Sequence, residues 1–142
     1  MRDFIDWGKC KEEFVRDSEK DPAKINSLIK TAEGRLAFLK SVPYSSERVS
    51  FLVEGYYEAI KELLTALLLS HGLRSKNHQC LITYFYKNYP SHEGDAYLIG
   101  EMSYLRNRLN YYGEQISPLF YEKNKERIEK IILIIKQLIE LK

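Results

Sequence analysis

The sequence predicts an all-α protein, an antiparallel up-and-down helical bundle of about five helices. Three observations carry that expectation. Apolar residues recur at spacings of three and four over long stretches, the period of a helix with one buried face. An N-cap residue followed by proline, the start signal of a helix, occurs twice, at Asp21-Pro22 and Ser117-Pro118. Nowhere is there the sustained alternation of apolar and polar residues that a half-buried strand requires.

Behind Asp21-Pro22, the residues Ile25, Leu28, Ile29, Ala32, Leu36 and Leu39 form the first apolar stripe. Gly34 sits inside it at a cost of about 1 kcal/mol relative to alanine. Pro43 and the serines after it end this helix and cap the next, which runs roughly from Glu47 to Ser70. Its seam is Leu52, Tyr56, Ile60, Leu63 and Leu67, widened by Ala59, Leu64 and Leu68, and Gly72 supplies the stop. A polar turn over Arg74–Asn77 leads into a shorter helix that ends before Pro90. After a loop containing Pro90 and Gly94, the residues Leu98, Met102, Leu105, Leu109 and Tyr112 mark another helix, with Gly113 as its cap. Ser117-Pro118 opens the last helix, whose core face is Ile128, Ile131, Ile132, Ile135, Leu138 and Ile139. Ile134 and Leu141 fall outside that stripe, so this apolar surface is wide enough for the bundle on one side and a second subunit on the other. The first 20 residues read as peripheral: Phe4–Val15 is expected to form a short helix across one end, with Trp7 and Phe14 as anchors.

At 142 residues the chain fits a single domain, residues 1–142, long enough to bury a core without covalent staples. Hydrophobic residues make up 44% and charged residues 30%, which excludes both a disordered chain and a membrane-embedded one. The apolar runs at Leu63–Ser70 and Ile131–Ile135 fall far short of a bilayer span. The first residues lack the layout of a signal peptide, and Cys10 and Cys80 form no recognised redox or metal-ligand spacing. The expectation is a cytoplasmic protein without a disulfide scaffold, without a metal or other cofactor, and with no membrane role. His71, His78 and His92 are too far apart in sequence, and too poor in neighbouring ligands, to suggest zinc. The net charge of +2 is unevenly spread, because no acid occurs from Thr65 to His92 while Arg74, Lys76 and Lys87 do. That stretch reads either as a solvated face or as a cationic patch for phosphate.

Glycine-rich phosphate loops, zinc-protease motifs and nucleophile elbows are missing from the sequence. One segment stands out, Leu105-Arg106-Asn107-Arg108-Leu109-Asn110-Tyr111-Tyr112-Gly113, where arginines, asparagines and tyrosines crowd the last turns of a helix. Arg106 and Asn110 share one line of the helix surface, and Asn107 and Tyr111 share the next. A guanidinium fork flanked by amides and phenols can hold a phosphodiester while a ring stacks on a base. The same residues also allow a structural reading, in which Arg106 pairs with Glu54 or Glu58 and Tyr112 completes the core stripe.

The stretch Tyr56-Tyr57-Glu58-Ala59-Ile60-Lys61-Glu62, then Leu67-Leu68-Leu69-Ser70-His71-Gly72 and Asn77-His78-Gln79-Cys80-Leu81-Ile82, resembles the HEPN (higher eukaryotes and prokaryotes nucleotide-binding) domains. Arg106-Asn107-Arg108-Leu109-Asn110-Tyr111-Tyr112-Gly113 resembles the end of their signature helix, and the likeness covers Glu47 through Lys142. The resemblance implies a bundle that forms a homodimer with its signature helices near the twofold axis. It further implies binding of RNA or a nucleotide, and a minimal nucleotidyltransferase as partner of a toxin–antitoxin pair. Many members are metal-independent ribonucleases whose motif is an arginine followed four to six residues later by a histidine. Arg106 matches that catalytic arginine and Asn107 the polar residue after it.

The motif histidine is absent, since the corresponding positions hold Tyr111, Tyr112 and Gly113 and no histidine follows His92. Attack through a 2′-OH calls for a group that exchanges protons near neutrality, which histidine does and tyrosine, with a pKa of about 10, does not. His78 reaches the site only if the fold brings the start of its helix there. Positions i and i+5 on one helix point about 140° apart, so an arginine and a partner at that spacing converge more readily across a twofold dimer. The sequence thus assigns nucleotide or RNA binding to Arg106, Asn107, Arg108, Asn110, Tyr111, Tyr112 and His78, with a degenerate ribonuclease motif. An active toxin ribonuclease and a non-catalytic protein-interaction module are the alternatives. In some family members the partner attaches AMP to a tyrosine beside the motif, a role that Tyr111 or Tyr112 would take if exposed.

Overall fold

The computed structural model describes residues 3–140. Helix α1 is a single turn (Trp7–Lys9), and strand β1 is Val15–Asp17. Then come α2 (Pro22–Ser41), α3 (Val49–Ser70), strand β2 (Leu73–Ser75), α4 (His78–Asn88), α5 (Glu93–Tyr112) and α6 (Pro118–Glu140). The chain is therefore mainly helical, but the described residues hold six α-helices rather than about five, and a small two-stranded sheet.

Helix α3 is the hub because its sequence leaves it almost no polar face. The expected seam is buried, and so are Val49, Val53, Ala66 and Leu69 around it. A helix that is apolar nearly all round must be covered nearly all round. Helix α2 runs along one side, starting where the Asp21 side chain accepts from Lys24 N at 3.1 Å and Pro22 occupies the first turn. The two helices approach closely at Gly55, where an added Cβ would lie 2.5 Å from Leu39 Cδ2. Helix α5 lies antiparallel to α3, as the contacts of Arg106 with Glu58 and of Asn110 with Glu54 show. It ends at Gly113, which adopts φ 66° and returns its N–H to Leu109 O, the left-handed cap that glycine allows. Ser117 Oγ then accepts from Leu119 N at 3.2 Å and starts α6. Helix α6 buries Ile128, Ile131, Ile132, Ile135 and Ile139. Tyr44 bonds Glu122 and Lys136 bonds Glu33, so α6 is antiparallel to α2. Leu141 lies outside the described residues.

Four expectations are corrected. Against the expectation of no disulfide scaffold, Cys10 and Cys80 are both fully buried and joined in a disulfide across 70 residues of sequence. No spacing rule marks a pair brought together only by tertiary folding. The N-terminal segment is not one short helix. Asp6 caps a single α-turn, Cys10–Phe14 widen into a π-helical turn, and Val15–Asp17 pair antiparallel with Leu73–Ser75. The segment is anchored by the disulfide, by Ser75 Oγ donating to Phe14 O at 2.9 Å, and by Trp7 edge-on to Tyr84. The polar turn at Arg74–Asn77 is thereby partly a strand, too short for any alternation to be legible. Finally, Gly94 belongs to the first turn of α5, because Pro90–His92 form a 3-10 turn that leads directly into it.

The two helical glycines predict opposite outcomes. Gly34 is exposed on α2 with nothing within 4 Å of an added Cβ, so Gly34→Ala should raise unfolding stability by about 1 kcal/mol. Gly55→Ala should lower it by about 1–3 kcal/mol through overpacking against Leu39; urea titrations of both variants check the pair. Opening the Cys10–Cys80 ring of 70 residues should lower stability by about 4 kcal/mol on loop entropy. Urea midpoints with and without dithiothreitol measure that loss, and equal midpoints would contradict it.

Candidate functional site

The expected residues divide into two groups, because a helix turns about 100° per residue. Arg106, Asn107 and Asn110 lie on the side of α5 that meets α3. Arg108 lies about 200° from Arg106 on the same helix.

On the α3 side the guanidinium of Arg106 is held in a polar cluster. Its Nη2 donates to Glu58 Oε1 at 3.3 Å and its Nη1 to Asn107 Oδ1 at 3.3 Å. Oriented with its amide nitrogen toward Glu54, Asn110 donates to Glu54 Oε2 at 3.0 Å and accepts from Arg106 Nε at 3.2 Å. The ion pair foreseen as the structural reading of Arg106 is thus formed, with Glu58. The side chain of Arg106 nevertheless keeps 25% of its surface exposed. Glu58 is shared, because its Oε2 also meets Lys61 Nζ at 2.7 Å. Burial alone would push the Glu58 carboxyl up. The Lys61 ammonium bonded to it, with Arg106 and Arg35 behind, outweighs burial and holds the carboxyl below its ordinary value.

His78 joins this cluster from a different helix. Asn77 caps α4, its Oδ1 accepting from Gln79 N at 3.0 Å and from Cys80 N at 3.4 Å. Gln79 Nε2 donates to Ser103 Oγ at 2.8 Å, which pins the start of α4 against α5 one turn before Arg106. His78 sits at the solvent edge there, close enough for the charges of Lys61, Glu58 and Arg106 to act on it. Partial desolvation, followed by the two cations, lowers the imidazole pKa from its ordinary value, against the opposing pull of Glu58. The shift favours the neutral form of the ring, the form that accepts a proton.

The remaining expected residues face water. Arg108 Nε donates to Glu114 Oε2 at 2.9 Å, and its guanidinium lies 4.4 Å from the centre of the Tyr112 ring. Tyr111 and Tyr112 are 74% and 68% exposed, which corrects the expectation that Tyr112 completes the core stripe. The stripe ends at Leu109, because α5 runs past the end of the bundle's packed interior before Gly113 turns the chain. The three histidines also part company. His71 bonds Tyr84, and His92 bonds Asp95 at 3.2 Å, where Asp95 also meets Arg127 at 3.2 Å. Among the described residues no group of three or more metal-ligating side chains assembles.

Lys61 was not singled out from the sequence, although its i, i+3 relation to Glu58 within an otherwise apolar helix was readable. Ser103 and Gln79 carried no sequence signal. The fold and this cluster define a helical bundle with one ionised, partly exposed seam between α3, α4 and α5. No family model, curated protein or solved structure matches the chain.

The depressed pKa of His78 fixes a pH dependence. Between that lowered value and the ordinary value of about 6.5, the unfolded chain binds a proton that the folded chain does not. Stability therefore rises with pH through that window and is unaffected by this group above it. His78→Gln should flatten the dependence of the urea midpoint on pH just below the ordinary histidine value, and an unchanged slope would show that His78 titrates normally.

Proposed function

We propose that the chain is a HEPN-type bundle that binds RNA or a nucleotide at the seam between α3, α4 and α5, with a degenerate ribonuclease motif. The observation that supports this reading is the position of His78. In place of the imidazole missing from α5, the chain has His78 at the first residue of α4, which the Gln79–Ser103 bond holds against α5 one turn before Arg106. In this reading Lys61 and the remaining N–H groups of Arg106 take phosphoryl oxygens, since Glu58 neutralises only one of the two cations it touches. Asn107 holds the guanidinium in place, and Asn110 fixes its far edge to Glu54. Arg108, Tyr111 and Tyr112 offer stacking surfaces further along the strand.

The reading includes a homodimer, whose contact would cover exposed apolar side chains such as Phe51 while leaving Tyr111 and Tyr112 open to the strand. It also includes a minimal nucleotidyltransferase as partner in a toxin–antitoxin pair, and a cytoplasmic location. Among the described residues no helix is long and apolar enough to cross a membrane. The disulfide counts against the cytoplasmic part of the reading, because a reducing compartment would keep Cys10 and Cys80 as thiols.

A second reading, metal-independent cleavage of RNA, is favoured by one observation: the start of α4, which carries His78, is tied to α5 one turn before Arg106, and a neutral imidazole there could accept the 2′-OH proton. One experiment separates the two. Arg106→Ala should weaken binding of single-stranded RNA at least tenfold with its helical circular dichroism unchanged, since Glu58 keeps Lys61 as a partner. Unchanged binding would reject the site. RNA recovered from the same incubations in EDTA should be intact under the first reading. Under the second it should carry cyclic-phosphate ends that depend on Arg106 and His78.

A further inference from the structure

The two-stranded sheet contains an arrangement that works against its own stability. Arg16 of β1 and Arg74 of β2 are direct register partners. Like charges placed directly opposite on a ladder repel, and a pair of short strands has little else to offset the repulsion.

Both arginines line a pocket of about 370 Å³, together with Lys24 from the first turn of α2 and Lys76 from the turn before α4. Four cations from three separate stretches of chain thus converge, with Glu13 the one carboxylate among the lining residues. Arg16 Nη1 donates to Val15 O at 3.1 Å. None of the four forms an ion pair with a described carboxylate. Acids are near: Asp17, Glu19 and Asp21 line an adjoining depression that shares Lys24 and Arg74. Asp21 is committed to the α2 cap, and the other two leave the cations unpaired. Both α2 and α4 begin at this pocket, so the positive ends of two helices add to its potential. Their first N–H groups are already capped by Asp21 and Asn77, so the side chains, not the backbone, would grip a ligand.

The wall is also built to stay in place. The Cys10–Cys80 disulfide and the bond from Ser75 Oγ to Phe14 O hold the strand that carries Arg16 against the start of α4. All four side chains are exposed and free to turn toward a shared ligand, so an anion of more than one charge settling among them could be met by each.

We propose that this pocket binds a polyphosphate group, the chemistry shared by the phosphate tail of a free nucleotide and the triphosphate end of an RNA. The lining of this pocket includes neither Arg106, Lys61 nor His78, although Thr65 and Asn77 adjoin the seam, and the proposal stands whether or not that seam binds nucleic acid. Part of the acid-free stretch serves it: Arg74 and Lys76 enter the pocket, whereas Lys87 lies in the last turn of α4 and does not line it.

The test is calorimetric titration of the full oxidised chain with inorganic tripolyphosphate. Wild-type protein should bind saturably, and Arg74→Gln and Arg16→Gln should each weaken binding at least tenfold. Arg106→Ala, and Lys125→Gln as a charge-matched control on the exposed face of α6, should stay within twofold of wild type. In the absence of ligand, Arg74→Gln should unfold at a higher urea concentration than wild type, because it removes the repulsion across the ladder. ATP binding more tightly than a 5′-triphosphate RNA supports the pocket with a nucleotide as its source of phosphate, and the reverse order supports it with an RNA end. The proposal is overturned if wild type shows no saturation, if both arginine variants bind like wild type, or if Lys125→Gln loses as much affinity as they do. Because Arg106→Ala is scored in the same series, a failure of the seam and a failure of the pocket give different patterns.

Discussion

Most of the surface of α3 must be kept from water, and the rest of the chain is arranged around that requirement. The helix is apolar on nearly every side over Val49–Ser70, so no single neighbour can cover it. Helices α2, α4, α5 and α6 each take a share, and most of the principal core centres on it. The polar residues of α3 are the exception that shapes the candidate site. Glu54, Glu58, Lys61 and Glu62 break the apolar surface on one side and must find partners there. Arg35 answers Glu62 with two bonds of 2.8 and 3.2 Å, and Arg106 answers Glu58. The ionised seam is therefore a consequence of how the hub is covered, and any ligand would have to compete with these internal pairs.

That competition explains why the candidate site is moderate in charge. Arg106 is neither sealed nor free: part of its fork is held by Glu58, Asn107 and Asn110, and a quarter of the side chain meets solvent. The electrostatic contrast with the cationic pocket near β1 and β2 is clear. There four positive side chains line one depression, and among the described residues none of them forms an ion pair with a carboxylate.

Much of the helical frame was legible because its signals are local. The Asp21-Pro22 and Ser117-Pro118 starts, the stops at Gly72 and Gly113, and the stripes of α2, α3 and α6 depend only on residues within a few turns of one another. What escaped depends on partners far apart in sequence. Cys10 meets Cys80, Val15 pairs with Ser75, and Gln79 bonds Ser103; none of these has a spacing that a linear reading can detect. Tyr112 failed for another reason. Its spacing fits the stripe, but it lies beyond the point where α3 has anything left to cover, so periodicity outran the core. For the site, the reading of Arg106 allowed both the ion pair and the ligand, and it identified Glu58 as one candidate partner. The approach of His78 required the fold.

The Cys10–Cys80 crosslink divides the molecule topologically. Residues 10–80 form a closed covalent ring that contains α2, α3 and both strands, while most of α4 and all of α5 and α6 hang from it as an open tail. Tension applied to the two chain ends would bypass the ring and strip α6 and α5 from the hub first. A protease cut in the Val42–Arg48 connection would leave two fragments that still travel as one molecule until the sulfurs are reduced.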